Sequence, residues 1–386
     1  MVDRVSILLC LLFLIAVLSA ISYSIQLNSV KEGLFTNLTK CSEAQSLSAP
    51  ATANSSLKIQ NTKGSLPLSQ CHVFASWNSA CSGKFVSTQQ IQNVLSTGCR
   101  FIDFPITDVS GEPMIYAPRF TNDIETNSIS LDKALKTCMD NAFQHHIVID
   151  YSCSKGKKTS NKTNSQKYIL RNYDDPLFIQ LRFEDKPDKT GKAKKAGKND
   201  KQMEHFLNKV AEVFGHVTRG QQYNNHKSDN LSTAVPLKEL KNKVVLLVDI
   251  TGISNTAFEN SKLQNTTNLI VGHPSGVMMY PFQHLLNTVP NKSSTDSYSG
   301  DLDSYSDIDQ YTMAIPDTKL NTQPTIQQVF ELAAYYHVQF VPFLFYQQNS
   351  LLADYIQFFQ TQQSAFLPIQ SLNKALAQEH EKAVMG

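Results

Sequence analysis

Eight short apolar runs recur along this chain with helical periodicities between them, and that alternation restricts the fold more than any other feature. The runs lie near 72–76, 101–106, 113–117, 177–183, 244–250, 267–271, 311–315 and 338–345. Several are β-branched or aromatic, as in Lys243-Val-Val-Leu-Leu-Val-Asp249 and Val338-Gln-Phe-Val-Pro-Phe-Leu-Phe345. Between the runs, one helix face collects Ile91, Val94 and Leu95, a second Phe206, Leu207, Val210 and Phe214, and a third Val329, Phe330 and Ala333. Strands that alternate with helices imply a parallel α/β architecture. About eight strands over about 300 residues fit a closed (β/α)8 barrel better than an open sheet.

A second feature precedes this frame. Val5 to Ile21 is apolar except for Ser6 and Ser19, and only Asp3 and Arg4 carry charge before it. Such a run is about the minimum that spans a bilayer. It reads as an uncleaved signal anchor over 1–22, or as a signal peptide cleaved after Ser22. The weak basic flank and Leu18 at a poor cleavage subsite favour the anchor. Either reading carries the rest of the chain across a membrane, as a single-pass extracytoplasmic domain or as a secreted one. Residues 23–66 read as a polar stalk, 67–370 as the barrel and 371–386 as a helical tail.

Three polar insertions interrupt the barrel, at 152–167, 186–201 and 291–310. The second holds seven lysines. It reads as a solvated insertion, with anionic lipid or glycan as its functional alternative. The net charge of +2 over 386 residues gives no global field that selects nucleic acid. Sequons at Asn37, Asn54, Asn161, Asn230, Asn265 and Asn291 permit glycosylation. Of seven cysteines, Cys10 lies in the apolar segment. Cys41, Cys71, Cys81, Cys99, Cys138 and Cys153 form an even set that an oxidising compartment would pair, in a pattern the sequence leaves open. None has C-x-x-C spacing, which argues against zinc.

Active sites on barrels gather at the C-terminal ends of the strands, so the residues after each run carry the functional reading. They are Ser76-Trp-Asn-Ser-Ala-Cys-Ser-Gly83, Gly98-Cys-Arg-Phe-Ile-Asp-Phe-Pro105, Gly111-Glu-Pro-Met-Ile-Tyr116, Asp175-Pro-Leu-Phe-Ile-Gln-Leu-Arg182 and Val341-Pro-Phe-Leu-Phe-Tyr-Gln347. In this order and spacing the chain resembles the phosphoinositide-specific phospholipase C family, most closely the membrane-associated phospholipase-C-like proteins of large DNA viruses. The resemblance covers roughly 70–370 and rests chiefly on the S-x-N-x-x-x-x-G turn followed by G-C-R-x-x-D. It implies a (β/α)8-type barrel, phosphodiester cleavage by two histidines, and a calcium ion or an arginine to offset charge on the phosphate. It also places the domain on a viral envelope or in the secretory pathway.

Carried over by position, the resemblance leaves little of that set. Trp77 stands at the first histidine position, Asn78 is kept, and Asp103 is kept with Pro105 in place of its acidic partner. Arg119 or Pro118 falls at the second histidine position, and Arg182 at the strand-four acid with Glu184 two residues on. Indole donates only an N–H, and arginine stays protonated, so neither exchanges a proton near neutral pH. Losing one acid–base group costs about 10²–10⁴ in rate. Asn78 and Asp103 alone are too few oxygens to hold calcium tightly. The expectation is a degenerate, membrane-anchored phospholipase-C-like barrel without cofactor, in which Asn78, Asp103, Arg119 and Arg182 bind a phosphate-bearing ligand. Two alternatives stay open. One is an active diester hydrolase, calcium-bound if active, that uses Asp103 with His72 or an arginine. The other is a receptor-binding or adhesion ectodomain.

Overall fold

The computed structural model describes residues 66–83, 85–117, 127–143, 174–184, 200–223, 231–273, 276–288, 311–317, 322–362 and 364–372. All fall in one compact unit made of Ser56–Asp150 and Asn164–Gly386. The apolar segment 1–22, nearly all of the stalk, most of the insertions, the tail from 373, Arg119 and every sequon except Asn265 lie outside the described residues. Among those described, no helix is long and apolar enough to cross a membrane.

The elements, in chain order, are β1 (Cys71–Val73), β2 (Ala75–Trp77), α1 (Thr88–Ser96), β3 (Phe101–Val109), β4 (Glu112–Tyr116), β5 (Ser128–Ser130), α2 (Leu131–Ala142), β6 (Leu177–Phe183), α3 (Asp200–Val217), β7 (Val244–Asp249), α4 (Asn255–Glu259), α5 (Lys262–Thr266), β8 (Leu269–Val271), β9 (Val277–Pro281), α6 (Phe282–Thr288), β10 (Tyr311–Ile315), α7 (Ile326–Tyr336), β11 (Phe343–Leu344), α8 (Ser350–Gln362) and β12 (Phe366–Pro368). The helices start where side chains meet orphan backbone donors. Ser87 caps α1 and Ser130 caps α2, and Thr325 with Gln328 closes a reciprocal capping box on α7.

This is a mixed α/β fold. Eight strands pair in the order β10-β9-β8-β7-β6-β3-β2-β11, every neighbour parallel. Outside the named strands, Phe340 makes single parallel bridges to Val73 and to Met313 of β10. The run at 113–117 is not one of the eight. It forms β4, antiparallel to both β3 and β5, because β3 outlasts its pairing with β2, which ends at Ile102, and its last residues, Ile106 to Val109, pair with β4 on that edge. The missing parallel strand is β9, which the apolar pattern did not mark. The helix that carries Phe206 to Phe214 begins at Asp200 and absorbs the last residues of the lysine-rich insertion.

The sheet has two differently furnished faces. On the helix side, Phe74 stacks on Phe359 of α8 at 4.4 Å between centroids, and Phe343 stacks on Tyr355 at 3.7 Å. On the inner side, Phe101, Phe178 and Tyr311 converge on Phe340, and Phe366 of β12 meets Phe178. This aromatic floor lies toward the strand starts. Two residues further along the same face come Asp103 and Gln180, and then Arg182, because strand side chains alternate with period two.

The expected disulfides are not made among the described cysteines: Cys71, Cys81, Cys99 and Cys138 are free and buried. Several bond to nearby carbonyls instead, Cys81 Sγ to Gly83 O at 3.1 Å and Cys99 Sγ to Phe74 O at 3.3 Å. Burial pushes the thiols up, Cys81 and Cys99 to about 12, so they stay protonated and act as small apolar groups.

Candidate functional site

The chain leaves β2 through Asn78, whose φ of 51° is left-handed, a conformation Asn tolerates better than most residues. That turn aims the Asn78 backbone N–H at Asp103 Oδ2, 2.8 Å away. Ser79 fixes the same strand from both sides. Its N–H donates to the Asp103 carbonyl at 2.9 Å, and its hydroxyl accepts from the Asp103 N–H at 2.9 Å. The Asp103 carboxylate is therefore placed by backbone before any side chain reaches it.

Arg182 of β6 completes the arrangement. Its Nε donates to Asp103 Oδ1 at 2.8 Å and its Nη2 to Asp103 Oδ2 at 3.0 Å, a two-pronged pair. Nη2 also donates to Asn78 Oδ1 at 2.6 Å, and Nη1 donates to Glu184. The guanidinium lies 4.0 Å from the centroid of the Trp77 ring, within cation–π range. An arginine carries five N–H donors, so these contacts leave it a single one. Asp103 is wholly buried and the Arg182 side chain is 11% exposed.

The electrostatics follow from this packing. Burial raises the Asp103 carboxyl above its ordinary value, against the pull of Arg182 and the Asn78 N–H. Burial also works to lower Arg182, but Asp103, Glu184 and Asp249 together outweigh it and hold its proton more firmly than usual. Asp249, in register with Arg182, turns one oxygen to the Thr251 N–H at 2.9 Å and the Thr251 hydroxyl at 2.6 Å. Burial pushes up the phenol of Tyr346, just past β11, against the influence of Asn78 and Arg182 beside it.

Of the residues singled out in the sequence, Trp77, Asn78, Asp103 and Arg182 are brought together. His72 is not. It lies on the helix side, stacked on Phe359 at 5.9 Å, with Nδ1 bonded to Val338 O at 3.1 Å. Four residues separate it from Trp77, a path of about 16 Å if extended. None of the four gathered residues has a histidine partner among the described residues. The oxygens that calcium would need, on Asn78 and Asp103, are already bonded to the guanidinium, so the residues as arranged do not fit that ion. Glu184, Ser79 and Tyr346 join the cluster, although only Glu184 was marked by its spacing. Asn265 is exposed on α5. A cavity of about 450 Å³, lined by Phe282, Gln283, Leu286 and Asn287 of α6 with Gln323 and Gln328 opposite, shares no residue with the cluster.

Parallel strands carrying a polar cluster at their C-terminal ends define a mixed α/β protein. No family model and no curated protein matches the sequence. Among solved structures, the chain is similar to PLC21 of L. pealei, at 14% identity and a TM-score of 0.50, and to PLC21 of S. officinalis, at 15% identity and the same TM-score. Each likeness covers 80% of this chain but only 38% of the other. At such identity the likeness is one of fold.

Proposed function

We propose that this chain is a phospholipase-C-like barrel that no longer turns over phosphodiesters and serves as a binding or structural module. The observation that supports this best is the saturation of Arg182. The group placed to offset phosphate charge already bonds Asp103, Glu184 and Asn78, which leaves it little to offer a ligand. With Asp103 tied to Arg182 and Trp77 where an acid–base group would stand, the cluster lacks the imidazole pair that such cleavage uses to move protons. In this reading the eight parallel strands close into a (β/α)8 ring, for which the bridges from Phe340 to Val73 and to Met313 argue. The N-terminal apolar segment anchors the domain, its kin are the membrane-associated phospholipase-C-like proteins of large DNA viruses, and the lysine-rich insertion offers a contact for anionic lipid or glycan.

The test is a phosphodiesterase assay on phosphatidylinositol vesicles, with calcium and with chelator. The expected result is no release of inositol phosphate above the protein-free rate in either condition. Release that disappears in Asp103→Asn would overturn the proposal and favour an active hydrolase with a rearranged site.

A further inference from the structure

Trp77, Asp103 and Gln180 stand at one level on three neighbouring strands. Asp103 is in register with Gln180, and Ser76 with Ile102, which brings the next residue, Trp77, level with Asp103. All three face the inner side. Gln180 has no exposed surface, and neither its amide nitrogen nor its amide oxygen has a hydrogen-bond partner among the described residues. The Trp77 indole Nε1 is buried and equally unpartnered. Buried polar groups in this state are rare, because each forfeits its hydration without compensation.

The described residues supply no remedy. Gln180 has Leu247 in register on its other side, and the Asp103 carboxylate is turned to Arg182 and Asn78. An occupant that satisfies the row must accept from the indole N–H and from the Gln180 NH₂, and donate to the Gln180 oxygen. It must be neutral, since Arg182 already balances Asp103. It must also be small, since strands two places apart leave about 10 Å between backbones before side chains fill the gap. Water meets all of these terms, and with the Asp103 carboxylate alongside it finds the two to four polar partners a buried water requires.

We propose that Trp77 and Gln180 form a buried hydration site beside Asp103, and that Gln180 acts through this water as a positioning residue that holds the Trp77 ring against Arg182. The site does not depend on whether the chain hydrolyses a diester.

Trp77 is the chain's single tryptophan, so its indole N–H resonance and its fluorescence are unambiguous. The full chain shows, on this proposal, magnetisation transfer from long-lived water to the indole N–H and to one glutamine side-chain amide. Absence of transfer to the indole overturns it. In Gln180→Leu the transfer is lost and tryptophan emission moves to the blue. Transfer and emission that survive the substitution overturn the role of Gln180. Should Gln180→Leu fail to fold, the milder Gln180→Met and the native-chain transfer to both groups decide, the native signal supporting the site and its absence refuting it.

Discussion

Arg182 and Asp103 form an ion pair away from solvent, and removing one partner of such a pair strands the charge of the other. Arg182→Ala is therefore expected to destabilise the fold by about 3–5 kcal/mol. Arg182→Ala combined with Asp103→Ala should lose clearly less than the sum of the two single changes, because the double variant buries no unpaired charge. Denaturant titrations of the three variants check this; strict additivity would mean that the pair is not coupled. His72 gives a different signature. Burial lowers its pKa from an ordinary 6.5 to about 4, with the Val338 carbonyl opposing. The unfolded chain takes up this proton first as pH falls. Stability is thus full above about pH 6.5 and declines toward pH 4, by about 3 kcal/mol in all. Urea titrations between those values should show the slope in the native chain and a flatter profile in His72→Leu. At this scale the sequence was legible where a motif names its own position, as for Asn78 and Asp103. It was silent on Gln180 and Tyr346, whose roles come from register across strands far apart in the chain.

The junction after β7 shows how elements hold the cluster in place. A Cβ on Gly252 would lie 2.1 Å from the Phe183 carbonyl oxygen, a backbone atom next to Arg182. Gly252→Ala must push the ends of β6 and β7 apart, at a cost of about 1–3 kcal/mol. A lower melting temperature, with a change in Trp77 fluorescence as Arg182 shifts, is the expected result; an unchanged spectrum would separate the turn from the cluster. The elements themselves were unevenly readable. Runs such as 177–181 and 244–248 are buried throughout, and their largely apolar continuity announces them. β9, Val277-Met-Met-Tyr-Pro281, is only partly buried beyond its first residue and follows β8 closely, so its pattern is faint. β4 has the reverse history. Its alternation of buried and open positions belongs to a half-covered antiparallel strand, which a search for apolar runs does not separate from a parallel one.

For the whole molecule, β12 and the turn after it are a late and costly addition to the core. Phe366, Leu367, Ile369 and Leu372 are all buried there. Each contributes about 1.5–3 kcal/mol on burial, a sum comparable with the 5–15 kcal/mol that holds a typical domain together. A chain ending at Gln362 is expected to lose its cooperative thermal transition and to bind ANS; a truncated chain that melts sharply near the native temperature would contradict this. The pairing of this closing segment with β1 was not legible in the sequence, since a contact between residues 71 and 368 leaves no local trace.

That pairing has a consequence of its own. Cys71 lies opposite Pro368, so the polypeptide comes in and goes out through one doorway, at the end where the parallel strands begin. Arg182 and its companions sit at the opposite pole, on the ends where those strands finish. A domain whose described chain enters and leaves at one pole can be spliced into a loop of another protein without disturbing the cluster at the far pole.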